Sequence, residues 1–101
     1  MYNLTKRTIQ LHKEKEMIPT NLQEAINILD KELVYEDKEY LLWHGSLAVH
    51  HTLGRWIRNN WELWNEEDNE LKVSLKKLGY SHPDDMSNYI IEEYIRYLQS
   101  L

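Results

Sequence analysis

A chain of 101 residues with a formal charge of −5 and no cysteine suits one modest core, and it rules out disulfides, thiolate metal sites and cysteine nucleophiles. No stretch approaches the roughly 18 apolar residues of a membrane span. The charged opening residues do not read as a signal peptide, so a cytoplasmic protein is expected. Acidic charge also disfavours nucleic acid as a partner, because phosphate binding is driven by cations. The charge is uneven. Residues 1–20 hold four basic and two acidic side chains, residues 43–61 hold Arg55 and Arg58 without an acid, and the segments 21–42 and 62–75 are each acidic. Such an acidic body with a small basic spot suits a protein partner or an anionic small ligand.

Residues 1–17 are densely charged and are expected to form an arm or a frayed helix ahead of a single helical domain at 18–101. Pro19 and Thr20-Asn21 open the first helix of that domain, with capping-box spacing from Thr20 to Gln23 or from Asn21 to Glu24. Leu22, Ala25, Ile26, Leu29 and Leu33 then form one apolar stripe. A short helix from about Glu36 to His44 presents Tyr40, Leu41 and Trp43 before Gly45 breaks it. Ser46 can cap a third helix, about Leu47 to Leu63. A fourth starts near Asn65 or Glu66, with Glu66, Glu67 and Asp68 favoured at its positive end. It buries Leu71, Leu75 and Leu78, and Gly79 suits a left-handed stop. Ser81 or His82 introduces the last helix, where Pro83 takes the first position and Asp84 and Asp85 complement the dipole. Its apolar face comprises Met86, Tyr89, Ile90, Tyr94, Tyr97, Leu98 and Leu101. The fold class is therefore all-α: a compact bundle of four to five short helices.

The third helix carries most of the unusual residues. Projected at about 100° per residue with His50 at zero, Trp61, Ile57, Trp64, Leu53 and Trp56 fall on one broad apolar arc. His51, Arg55, Asn59 and Glu62 lie opposite, and Arg58 sits on the border. Two polar residues, His50 and Asn60, fall inside the arc and are expected to be buried, hydrogen-bonded structural groups. Gly54 in mid-helix implies close approach by another helix or a ring. Arg58 beside Asn59 could clamp a carboxylate or phosphate, or tie Asp84 or Asp85 to this helix. The chain has seven Tyr and four Trp but no Phe, rings that bring apolar area together with a polar handle.

These residues resemble a family of small, uncharacterised bacterial and phage proteins marked by H-x-G-L-G-x-W-I-R-N-N-W-x-L-W and, some twenty residues on, H-P-D-D-M-S. His50, Leu53, Gly54, Trp56 to Trp61, Leu63 and Trp64 match the first block, and His82 to Ser87 the second. Thr52 stands where the pattern has glycine, and His51 where it usually has an aromatic. The resemblance spans roughly residues 18–99. It implies that both blocks belong to one structural unit and supplies no activity.

Three functions remain to be weighed. The chain lacks a Gly-rich phosphate loop, a G-x-S-x-G elbow and an H-E-x-x-H pair, and His44, His50 and His51 lack the spacing of metal ligands on one helix face. No cofactor or metal is expected. An enzyme would have to use His50, His82, Asp84 and Asp85, yet Ser81 to Asp85 reads more economically as a helix start. The leading expectation is a non-catalytic module that binds and modulates or inhibits another protein, by analogy with immunity and phage counter-defence proteins. The alternative is a binder of a nucleotide or other anion through Arg55, Arg58 and Asn59 beside a Trp ring. The candidate binding residues are His51, Arg55, Arg58, Asn59, His82, Asp84 and Asp85.

Overall fold

Asn21 opens the first helix among the described residues, 17–101, of the computed structural model. The expectation for an N-terminal arm therefore lies, but for Met17, outside the described residues. The Asn21 side chain accepts from the Glu24 amide, and the Glu24 carboxylate reaches back to the amide and hydroxyl of Thr20. Of the two boxes the sequence offers, Asn21 to Glu24 forms, with its return bond displaced by one residue. Five α-helices follow, with no strand among the described residues: α1 (Leu22–Glu32), α2 (Tyr35–His44), α3 (Arg55–Asn60), α4 (Glu70–Lys77) and α5 (Pro83–Gln99).

The stretch expected to be one helix, Leu47 to Leu63, is instead built with three hydrogen-bond periods. A 3-10 turn (Ser46–Val49) leads into a π turn (His50–Gly54), and only then does the six-residue α3 begin. Gly45, at φ 83°, separates this stretch from α2, and no Ser46 side-chain cap forms. Each change of period slips the angular phase, so a uniform 100° projection cannot hold across it. The consequence corrects two expectations. Asn60 is exposed and donates back to the Trp56 carbonyl at 2.8 Å, and His50 is only half-buried. Arg58, expected at the border, is the buried polar residue of this segment, at 5% exposure.

At its end α3 turns sharply. Glu62 takes a left-handed conformation (φ 58°), and the Leu63 amide donates to the Arg58 carbonyl at 3.0 Å. This six-to-one closure normally uses glycine. It buries Leu63 and leaves Trp64 half-exposed. The fourth helix starts later than expected, at Glu70. Asn69 caps it through the Lys72 amide and also donates to the Trp61 carbonyl. Glu66, Glu67 and Asp68 thus lie in the preceding loop. Carbonyls there are gathered by the buried Lys72 ammonium, which donates to Asn65 and Glu67 and pairs with Asp68 at 3.2 Å. Gly79 ends α4 with φ 102°, as its sequence position suggested.

α5 is the hub, packing against α1, α2, α3 and both irregular turns. Its Met86, Ile90, Ile91 and Tyr94 join Ala25, Leu29, Leu41, Leu53, Ile57, Trp61, Leu71 and Leu75 in one continuous core. Two of its buried hydroxyls stitch helices together. Tyr94 donates to Asp30 on α1 at 3.0 Å, and Lys38 on α2 pairs with the same carboxylate. Burial pushes the Tyr94 phenol far above its usual range, and the bond to Asp30 adds to the shift. Ser87 serves the second junction, at Arg58. No helix of the described residues is long and apolar enough to cross a membrane.

Candidate functional site

His82 and Arg58 converge on Asp84, in the first turn of α5. The Arg58 Nη1 donates to Ser87 Oγ (2.9 Å), Nη2 donates to the His50 carbonyl (3.1 Å), and Nε stands 3.4 Å from Asp84 Oδ1. The Ser87 hydroxyl in turn donates to the Asp84 carbonyl at 3.1 Å. A guanidinium presents a rigid planar fork, and here each of its three nitrogens meets a different partner. Burial lowers the proton affinity of the group and Arg55 lowers it further, while Asp84 opposes both. It nevertheless stays charged at any physiological pH.

The π turn makes room for this arrangement. A Cβ on Gly54 would stand 3.0 Å from Arg58 Nη1, 3.4 Å from the Val49 carbonyl and 3.7 Å from Ser87 Oγ. Gly54 thus meets the close approach expected of it, and the group that approaches is a guanidinium rather than a ring. His50 enters the junction through its backbone carbonyl, which accepts from Arg58 Nη2. Its ring lies with Nε2 3.9 Å from Asp84 Oδ1 and packs edge-on against His51.

His82 caps α5. Its Nδ1 accepts the Asp84 amide at 3.0 Å and lies 3.9 Å from Asp84 Oδ2. The Trp64 ring meets the His82 ring edge-on at 5.7 Å. Of the candidate residues, then, Arg58, His82 and Asp84 come together with His50. His51 reaches the cluster only through His50. Arg55, Asn59 and Asp85 are exposed around it, and Arg55 is sensed by Arg58 as a like charge. The hydroxyl in the cluster, Ser87, is fully buried and already bonded on both sides, so it offers no nucleophile. Among the described residues no three acidic or imidazole groups are disposed to hold a metal ion.

A second surface has no counterpart in the sequence reading. Beside Gly45, an open groove of 490 Å³ runs between the end of α2 and α5, lined by His44, Ser46, Leu47, Glu92, Ile95 and Arg96 among others. Leu47 is 79% exposed, and Trp43, one residue before the groove, is 84% exposed. One signal for it stood in the sequence. Leu41, Leu42 and Trp43 are consecutive, and a helix cannot turn three adjacent apolar residues to one core. Leu41 is buried, and the other two are left outside.

An all-helical domain in which Arg58 ties the π turn and α3 to the start of α5 defines a structural class, without a reaction attached. The match to a known family extends over residues 18–98, and the chain belongs to that family, Domain of unknown function (DUF6794). No curated protein and no solved structure matches the chain.

Proposed function

We propose that this protein is a non-catalytic module that binds and modulates another protein, and that it does so through the groove between α2 and α5. The observation that carries this reading is the exposure of Leu47, which lines the groove, and of Trp43, one residue before it. An exposed Trp at 84% is costly in water and is the residue type most enriched in binding hot spots. The α5 wall offers Glu92, Ile95, Arg96 and Gln99, a stripe at i, i+3, i+4 and i+7 that fits a helix lying in the groove. Its charge selects the partner. Arg96 is held by Glu93 through two bonds, whereas Glu92 receives only a long 3.4 Å bond from Ser46. With a net charge of −5 on the chain, the fitting occupant is a basic amphipathic helix of a partner protein.

The anion-binding alternative has less support, because Arg58 already spends its donors inside the protein and leaves only Arg55 at the surface. The enzymatic alternative has less again, for want of a nucleophile or a free acid/base pair near Asp84. The test uses the intact chain and a Trp43→Ala/Leu47→Ala variant as paired baits in the native host. The reading expects a stoichiometric protein captured by the first and lost from the second. It further expects exchange protection at 43–47 and 92–99, and a basic amphipathic segment as the protected part of the partner. Undiminished capture by the variant overturns it, as does recovery of a bound nucleotide with no protein.

A further inference from the structure

His82 caps a 17-residue helix with a ring nitrogen rather than with the oxygen of Ser, Thr, Asp or Asn. To accept the Asp84 amide at 3.0 Å, Nδ1 must be unprotonated, with the ring proton on Nε2. An oxygen cap works at any pH near neutrality, whereas an imidazole cap works only while it is neutral.

We infer that His82 is a proton-operated cap: a proton taken up at Nδ1 exchanges its bond with the Asp84 amide for one with the Asp84 carboxylate, and so loosens the seat of Trp64. Three observations support the exchange. The proton from solvent occupies the lone pair that held the amide, leaving that N–H without its acceptor. The resulting cation would sit at the positive end of the α5 dipole, which opposes its present position. An alternative partner is already placed, since Asp84 Oδ2 is 3.9 Å from the same nitrogen. The ring must tilt to close that distance, and the Trp64 ring, whose centre lies 5.7 Å from that of His82, moves with it.

Charged groups face this position from the elements packed around it. Asp84 lies on α5 with exposed Asp85 beside it. Arg58 from α3 competes for the Asp84 carboxylate at 3.4 Å, and His50 from the π turn faces it at 3.9 Å. From the loop after α3, Trp64 brings no charge. The inference is independent of what the groove binds, and its readout is local.

Nuclear magnetic resonance on the full chain between pH 8 and 5 tests it. The Asp84 amide shift should follow the same midpoint as the His82 ring protons, and the Trp64 indole N–H signal should follow both. Protection of the Asp84 amide should fall roughly fivefold with the cap lost. In His82→Ser, and in His82→Asn as a second oxygen-type cap, the Asp84 amide and Trp64 indole signals should stay flat, while in His50→Gln all three signals should titrate as before. An Asp84 amide that stays flat while the His82 ring titrates overturns the inference. An unchanged amide titration in both cap variants overturns it equally.

Discussion

Arg58 and Lys72 are both buried cations, with side chains 6% and 5% exposed, yet they do different work. Arg58 joins residues far apart in the chain: Ser87 lies 29 positions away, on another helix. Its planar fork fixes the angle between α3, the π turn and α5. Lys72 gathers Asn65, Glu67 and Asp68, all within seven residues. A compact ammonium with three rotatable donors can collect carbonyls from an irregular loop without demanding a plane. One cation therefore sets tertiary geometry, and the other closes a loop.

The comparison breaks most sharply at Arg58. Arg58→Met should cost about 2–3 kcal/mol, since charged hydrogen bonds are lost while Asp84 keeps access to water. For a domain of this size that is a melting-temperature drop of roughly 10–20 °C, read by calorimetry. Arg58→Lys should recover less than half of it, because one ammonium cannot meet three partners in a plane. Full rescue by lysine would show that charge alone, not the fork, matters at this junction. Gly54→Ala extends the same test. In the native background it should destabilise by about 1 kcal/mol, because the new methyl presses on a guanidinium that cannot move aside. In Arg58→Met it should become neutral or favourable, as the helix preference for alanine emerges.

At Lys72 the expected losses are smaller and local. Lys72→Met should cost about 1–2 kcal/mol, because the released carbonyls lie in an exposed loop and can turn to water. Exchange should quicken at 65–72 and stay slow in α5. Acid offers a second handle. The hydrogen bonds from Lys76 and Lys72 hold the Asp68 carboxyl below its usual value. A depressed carboxylate adds stability above its unfolded value and loses it as pH falls through the folded one. Acidification below about pH 4 should therefore loosen the 65–72 loop, and Asp68→Asn should remove that pH dependence.

Much of this was legible from residue types, and the limits have physical causes. The stop at Gly79 depends on local chemistry that sequence states directly, and the same chemistry narrows the caps to Thr20 or Asn21 and to Ser81 or His82, of which Asn21 and His82 form. The link from Arg58 to Asp84 could be anticipated as one of two roles for Arg58, because a guanidinium at the edge of the apolar arc seeks a carboxylate and the next helix begins with two. The faces of 47–63 could not be assigned, because any projection assumes one helical period and the chain uses three. Hence Asn60 and His50 were expected inside, where Arg58 in fact lies. Lys72 left no signal, since a lysine in a polar helix reads as solvated and the carbonyls that cage it follow no period. The pair of Asp30 and Tyr94, 64 residues apart, depends on how α1 docks on α5.

The smallest expected effect separates backbone from charge where the two regions meet, at Glu62. This residue holds φ 58° so that Leu63 can close on the Arg58 carbonyl and the chain can turn toward the Lys72 loop. A side chain there crowds the following carbonyl, a penalty that glycine lacks. Glu62→Gly should therefore raise stability by about 0.5–1 kcal/mol, after allowing for the greater freedom of an unfolded glycine. The melting temperature should rise by roughly 2–6 °C. The substitution also deletes a negative charge from an acidic stretch, and Glu62→Ala deletes the same charge while keeping the Cβ. If alanine leaves stability unchanged or lowers it, the gain from glycine belongs to the backbone turn. An equal rise in both variants would assign it to the relief of charge repulsion and would remove strain at Glu62 as an explanation.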